Sequence, residues 1–440
     1  MRRVPELDAL RGLAALGVLF CHLQPTVGWT QFGMTGVHLF LVLSGYLITR
    51  IVLEHGGTPG FLRSFYARRT LRTWPTYFLT LGALIVYQQS LPNPPSLDGL
   101  PYYLTFTQYL WQWPVLGQVL PQPTNGPVRY FEQSWTLAIE EQFYLLWPLA
   151  ILVLGRRKVV PLVAGAVGVG VWYKMLGHDS WTLPNVIGAL ALGALIAAIL
   201  RDGARVERAR PLLSIGFVAA GLAGFGGVHW YYTVPPVGFT PTGMLWRDAF
   251  QNYAYYTLHF GIVGFVATNA GARFLAPLRL RELTYLGEIS YGLYLYHLPI
   301  YWVINGSGAI QHDEPTSMWV CKIAVSCLAA SLSYRYVERP MLRFKEFFPY
   351  GEPAAVESRP APAAAIPQHH LVVGREAKPA VVPANQARIS YGARPEAAPA
   401  ASPPAGPAAV ESKGPGPAPG GPAVAKSPAH FGPRGKKKSR

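Results

Sequence analysis

Apolar residues run along this chain in blocks of nearly twenty, set apart by arginines, prolines and aromatic residues, and not in the one-sided or alternating patterns of a water-soluble domain. Ten blocks stand out, at 8–27, 36–54, 75–90, 134–154, 159–175, 184–200, 211–228, 243–270, 283–304 and 317–335. About 20 apolar residues, wound as a helix, cross the hydrocarbon core of a bilayer. The predicted fold class is therefore all-α, a polytopic transmembrane helix bundle of about ten spans within residues 1–345. Arg2 and Arg3 before the first block resemble the start of a signal peptide. No small-x-small cleavage site follows, and Asp8 and Arg11 interrupt the apolar run, so a retained first span is expected. From Gly351 the chain turns to Pro, Ala and Gly and ends in Lys436, Lys437, Lys438, Ser439 and Arg440. Such a tail, residues 346–440, cannot bury a core and is expected to be disordered in the cytoplasm, its basic end near anionic lipid. No internal repeat is visible, which argues against an inverted-repeat transporter.

Charge changes this picture in one respect. A net charge of +16 would ordinarily raise nucleic acid as a partner, but its distribution points elsewhere. With the N-terminus inside, 21 Lys and Arg of residues 1–345 fall in the cytoplasmic segments, among them Arg50, Arg63, Arg68, Arg69, Arg72, Arg156, Arg157, Lys158 and Arg201. Only Arg129, Lys174, Arg247 and Lys322 fall on the other side. This asymmetry fixes orientation, with both termini cytoplasmic, and leaves no basic patch for nucleic acid. The outer loops are rich in Trp and Tyr, as interfacial belts are. The longest, 91–133, is expected to lie along the membrane surface as a short helix near 99–113.

Candidate chemistry is sparse. Cys21, Cys321 and Cys327 all fall in spans, with no disulfide framework and no metal-ligand spacing. Cys21 precedes His22, but adjacent helical residues point about 100° apart, so a buried structural thiol is expected and not a thiol–imidazole pair. Phosphate-cradling glycine loops and a Gly-x-Ser-x-Gly elbow are absent.

Polar residues inside spans remain. Arg11 and His22 are eleven positions apart, about three turns plus ~20°, so they share one stripe ~16 Å long. Asp8, one turn before Arg11, is on the same stripe. An Arg snorkelling at a helix end and a His satisfied in the core would each be unremarkable alone; the three together favour an interior, functional face. His22, Glu140 and His297 lie ~7–11 Å below the outer surface on spans of different direction, a common layer suited to acid–base work on a hydroxyl. Glu140 facing outer headgroups and His297 bonding within the bundle are the bland alternatives. His38 and His259 lack such support and are read as structural. On the inner side Arg68 and Arg72 are one turn apart with Arg69 between them, a cluster able to grip a phosphate-rich cosubstrate; topology alone would also explain it.

These residues sit in segments that resemble acyltransferase family 3: Glu6 to Ala14 with His22, Gly36 to Ile48, Arg68 to Pro75, Ser134 to Tyr144, Ser290 to Pro299, and Tyr334 to Pro340. The resemblance covers residues 5–345 in the family's order. It implies a bacterial inner-membrane O-acyltransferase of the kind that decorates cell-envelope polysaccharides, glycoconjugates and some macrolides, with acyl-coenzyme A, usually acetyl-CoA, as cosubstrate from the cytoplasm and no permanently bound cofactor. It implies a catalytic Arg11 and His22. By this reading His22 is the general base, Glu140 orients it or stabilises its imidazolium, Arg11 lines the acyl-CoA passage, and Arg68, Arg69 and Arg72 bind the CoA phosphates. Asp8, His297, Ser290 and Glu338 are supporting residues, and no metal is expected. Direct transfer and an acyl-His22 intermediate both remain open. The SGNH-type domain that some members append is not recognisable here, so no second transfer by such a domain is expected. The alternative, from another class, is a transporter or exporter of a polar metabolite or lipid-linked sugar; a non-catalytic membrane sensor or scaffold is a third. On the leading reading the acceptor is a sugar hydroxyl and the partners are acyl-CoA, the glycan and membrane lipid.

The orientation is testable. A single cysteine introduced within 56–72 of an otherwise cysteine-free chain should resist an impermeant maleimide added to intact cells. Labelling from outside would overturn the topology.

Overall fold

The structure is a computed structural model, and it describes residues 4–23, 28–92, 94, 96–110, 131–178, 182–235, 240–305 and 314–351. All lie within the first of two units, Met1–Ala363 and Ala364–Arg440. The predicted disordered tail falls, beyond residue 351, outside the described residues, as does the end of the surface helix expected near 99–113.

Twelve α-helices form the described fold: α1 (Pro5–Leu23), α2 (Gly28–His55), α3 (Phe61–Gln89), α4 (Leu100–Leu104), α5 (Trp135–Leu154), α6 (Val159–Met175), α7 (Leu183–Ile199), α8 (Gly203–Thr233), α9 (Pro241–Thr268), α10 (Arg281–Asn305), α11 (Thr316–Ser333) and α12 (Arg339–Arg343). No strand occurs among the described residues. Each of the ten predicted blocks is a helix. The main differences are at α3 and α8, which begin well before the predicted positions and run through Pro75 and Pro211. Hydropathy falls where these helices enter their arginine-bearing turns, although the backbone stays helical.

Length and apolarity qualify five segments as membrane spans, or six if α9 and the short turn Arg273–Arg279, bent by 108°, count as one. The expected ten exceeds this because α1, α3 and α10 carry charged side chains within their length, and α7 has only 17 residues. α8 shows the membrane character plainly. Leu212, Ile215, Leu222 and Phe225 are exposed along it, a face suited to lipid and not to water.

Between lipid-like surfaces there is little hydrophobic drive, so helices in such a bundle are held by close packing through small residues. A Cβ on Gly12 of α1 would stand 2.8 Å from the Gly287 backbone nitrogen of α10, and one on Gly287 would overlap the Asp8 carbonyl. α2 and α7 interlock similarly, Gly45 against Leu190 and Gly193 against Val42. Polar ties add direction. At the start of α1, Glu6 takes Arg279 at 2.8 Å and the Gly271 amide at 2.9 Å. Burial alone would raise the Glu6 carboxyl, but the Arg279 guanidinium and the Gly271 N–H hold it below the usual carboxylate range. In α10, Pro299 has no N–H to give the Leu295 carbonyl; the Gln133 side-chain amide donates there instead, at 2.8 Å, docking the 131–134 turn on α10. A π-helical segment, Tyr334–Glu338, joins α11 to α12.

Substituting Gly287 by Ala should lower thermal stability in detergent by on the order of 1–3 kcal/mol, because backbone cannot yield to the new methyl. Gly82→Ala, where a Cβ meets nothing within 4 Å, should be neutral or stabilising. Equal behaviour of the two variants would remove the crossing from the stability of the fold.

Candidate active site

His22 and His297 each lie ten residues beyond the glycine at which α1 and α10 cross. The two helices run the same way, so equal steps of about 1.5 Å bring both imidazoles to one height. Their rings stand 5.0 Å apart between centroids, and His297 Nε2 is 3.2 Å from His22 Nδ1. His297 is fully buried, its Nδ1 2.7 Å from the Tyr294 carbonyl. A carbonyl only accepts, so that nitrogen carries the ring proton, and neutral His297 presents Nε2 as an acceptor. His22 Nδ1 faces the Val18 carbonyl at 2.9 Å as well as His297, and so carries a proton too. The lone pair of His22 is thereby left on Nε2, the atom a base would use.

Two adjoining cavities lead toward this pair. The wider, about 300 Å³, is walled by Arg68, Arg69, Arg72, Lys345, His55 and Tyr350, and reaches Arg11. The narrower, about 50 Å³, is bounded by Val37, Phe40, Thr136, Ser290 and Tyr294. Arg11, Ser44, Glu140 and Tyr291 line both, so the two cavities adjoin at these residues. Tyr294 lines the narrow cavity, and its ring is 5.7 Å from that of His297, which lies behind it and outside the lining. Tyr294 is held there by donating to the Gln133 carbonyl at 3.1 Å and accepting from Thr136 at 3.0 Å.

Positive charge dominates the wide end. Arg68 donates to the carbonyls of Lys345 and Phe348 at 2.8 and 3.1 Å and lies 5.0 Å over the Tyr350 ring, fastening the 344–350 segment across the cavity. Arg69 lies 5.0 Å over Tyr144. Arg72 has no carboxylate partner among the described residues and faces Arg11 and Glu338 electrostatically. Such a cluster in a partly enclosed cavity calls for a polyanion.

The site residues expected from sequence are thus divided. Arg11, Arg68, Arg69, Arg72, Glu140 and Ser290 line the cavities; His22 and His297 form the pair beyond them. Asp8 lies within electrostatic reach of Arg11. Ser290 donates to the Gly287 carbonyl at 2.9 Å, just past the helix crossing. Glu338, buried, accepts from Ser333 at 3.4 Å and packs on Gly292. Glu140 is the departure. Its carboxylate accepts from Ser44 at 2.8 Å and Tyr144 at 2.7 Å, and the side-chain partner of His22 among the described residues is His297. Equal depth placed Glu140 and His22 in one layer, but depth along a helix says nothing of the direction in which a side chain points. His38 and His259 sit elsewhere, 6.3 Å apart between ring centroids, with Tyr255 and Tyr256 packed on His38.

Ser44, Tyr144, Tyr291, Tyr294, Lys345 and Tyr350 were not singled out in the sequence. Two signals were available. Glu140 and Tyr144 are one turn apart on α5, and Ser290, Tyr294, His297 and Tyr301 follow the i, i+4, i+7, i+11 spacing of one helix face.

Comparison with known proteins points the same way. The chain is 26% identical over 363 residues to O-acetyltransferase OatA of Staphylococcus aureus, covering 79% of this chain and 58% of that protein. It is 28% identical over 377 residues to the putative peptidoglycan O-acetyltransferase YrhL of Bacillus subtilis, covering 77% and 55%. To the peptidoglycan O-acetyltransferase OatA of Listeria monocytogenes it is 27% identical over 355 residues, covering 77% and 56%. The chain therefore spans little more than half the length of these relatives. No solved structure matches it. The profile of the acyltransferase domain matches residues 4–335, from the start of α1 into the π-helical segment, and the chain belongs to acyltransferase family 3, as its motifs suggest.

Proposed function

We propose that this membrane protein is an O-acyltransferase that moves an acyl group, in the first place acetyl, from cytoplasmic acyl-CoA to a hydroxyl of a sugar or glycoconjugate at the outer face of the inner membrane. In this reading all ten long helices cross the bilayer and both termini are cytoplasmic. The observation that carries it is the pair of adjoining cavities from the arginine cluster, past Arg11 and Glu140, to Tyr294, whose ring packs 5.7 Å from that of His297. A phosphate-rich head with a thin acyl arm fits a wide basic chamber that narrows; a compact solute needs no such shape. The carbohydrate acceptor is inferred from relatives named for peptidoglycan O-acetylation.

Arg68, Arg69, Arg72 and Lys345 hold the CoA phosphates, and the acyl arm passes Arg11. At the far end His22 Nε2 takes the proton of the acceptor hydroxyl as its oxygen attacks the thioester carbonyl. The tetrahedral intermediate collapses with cleavage of the C–S bond, and the imidazolium returns the proton to the leaving CoA thiolate, giving ester and free thiol. His297 positions His22: by accepting from Nδ1 it keeps the lone pair on Nε2 and stabilises the imidazolium while it exists. Glu140, bonded to Ser44 and Tyr144, offsets the charge of Arg11 where the cavities meet; it takes over none of the role of His297.

Two outcomes are expected in proteoliposomes assayed for CoA release with an acceptor glycan. His22→Ala should lower the rate on the order of 100- to 10,000-fold while the protein stays folded and inserted. Wild-type transfer by a well-expressed His22→Ala variant would take this residue out of the mechanism.

Neutralising Arg68, Arg69 and Arg72 together should raise KM for acetyl-CoA far more than it lowers kcat, because contacts remote from the thioester are alike in ground and transition states. An inserted triple variant with unchanged KM would place the donor site elsewhere.

A further inference from the structure

A second chamber is larger than the one assigned to the donor. It measures about 670 Å³ and lies between the C-terminal ends of α2, α7 and α9, the N-terminal end of α8, and Arg156 just after α5. α2 separates the two chambers. Leu47, Ile51 and His55, spaced by four, face the donor cavity, while Tyr46, Arg50, Leu53 and Glu54 face this one. The two are distinct, and nothing in the acyl-transfer reading uses the second.

Its charges do not balance. Arg50, Arg156, Arg201 and Arg210 line it against Glu54 and Glu207. The carboxylates are already engaged, Glu54 with Arg50 at 2.7 Å and Glu207 with Arg210 at 2.5 Å. Arg156 gives one nitrogen to the Leu53 carbonyl at 3.3 Å, and neither it nor Arg201 has a carboxylate partner among the described residues. Arg210 Nε is shut off from solvent without an acceptor. The Arg210 side chain as a whole is 44% exposed and Arg201 is exposed, so the cluster is open to a ligand, and the group that satisfies several such forks at once is a phosphate. The remaining wall is apolar, with Leu53, Leu200, Val206 and Ala267, so the ligand has a non-polar part beside its anionic one.

We propose that this cavity is a second anion site that binds a phosphate group through Arg156, Arg201 and Arg210, separately from the acyl donor. The same chemistry has two sources, the headgroup of an anionic phospholipid reaching in from the bilayer or a soluble phosphate compound. The volume and the mixed lining suit either.

The test uses the full chain in an uncharged detergent and reads thermal stability as phosphatidylglycerol in mixed micelles, or inorganic pyrophosphate, is titrated in. The wild type should be stabilised saturably by at least one probe. Arg156→Gln/Arg201→Gln should raise the half-saturating concentration by about tenfold or more, the loss expected when charge-assisted bonds are removed. With the first chamber filled by saturating CoA throughout, Arg68→Gln/Arg72→Gln should keep the part of the response that depends on Arg156 and Arg201. A response to phosphatidylglycerol alone identifies the source as lipid, and one to pyrophosphate identifies it as soluble. If the glutamine pair fails to fold, Arg156→Lys/Arg201→Lys keeps the charge but loses the fork, and should weaken the response in the same direction. The proposal is overturned if neither probe stabilises the CoA-saturated wild type, if variants at Arg156 and Arg201 respond unchanged, or if the whole response disappears with Arg68 and Arg72 under the same saturation.

Discussion

Where α1 meets α10, backbone touches backbone, and this contact governs the distances that matter. With Gly12 and Gly287 face to face, two parallel helices approach more closely than side chains would allow, and ten residues further along each the imidazoles of His22 and His297 come within hydrogen-bonding reach. Van der Waals packing of this kind resists small changes steeply, since a methyl at the crossing displaces a whole helix. The geometry of the pair is thus set a long way from the pair. Pro299 and Gln133 complete the arrangement from the other side, because the carbonyl freed by the proline is what docks the turn that supports Tyr294.

Electrostatics shapes the other end. Arg11, Arg68, Arg69, Arg72 and Lys345 surround one chamber, with Glu140 as the carboxylate in its lining. In a medium of low polarizability such a concentration of like charge is tolerable only beside water or a bound anion. The chamber and the imidazole pair therefore face opposite requirements, one wet and charged, one dry and neutral. The narrow cavity with Tyr291 and Tyr294 in its wall lies between them.

Much of this was legible in the sequence. The apolar blocks marked every long helix, and the spacing of Arg11 and His22 on α1 placed them on one stripe. The common depth of His22 and His297 anticipated a meeting that the structure shows. Azimuth was not legible. Glu140 shared that depth yet turns toward Ser44 of α2, since a hydropathy pattern gives position along an axis and leaves rotation to the packing of neighbours. Lys345 and Tyr350 were hidden for another reason. They lie beyond the last apolar block, and only folding of the 344–350 segment against Arg68 brings them to the cavity. The chamber between α2, α7, α8 and α9 draws its arginines from three separate stretches, each of which read singly as an orientation signal.

The π-helical segment Tyr334–Glu338 holds one residue more than an α-helix of the same rise would need. Everything after it is therefore turned by about 100° relative to an uninterrupted helix. That turn sets the azimuth at which α12 leaves, and with it the path of the chain that brings Lys345 and Tyr350 over Arg68. A chain shorter by a single residue here would keep its length class, its hydropathy and every arginine, yet would turn that roof away from Arg68. Single-residue deletions in this segment are consequently frame changes in three dimensions, and related sequences that align without gaps elsewhere would still differ in how the arginine-lined chamber is closed.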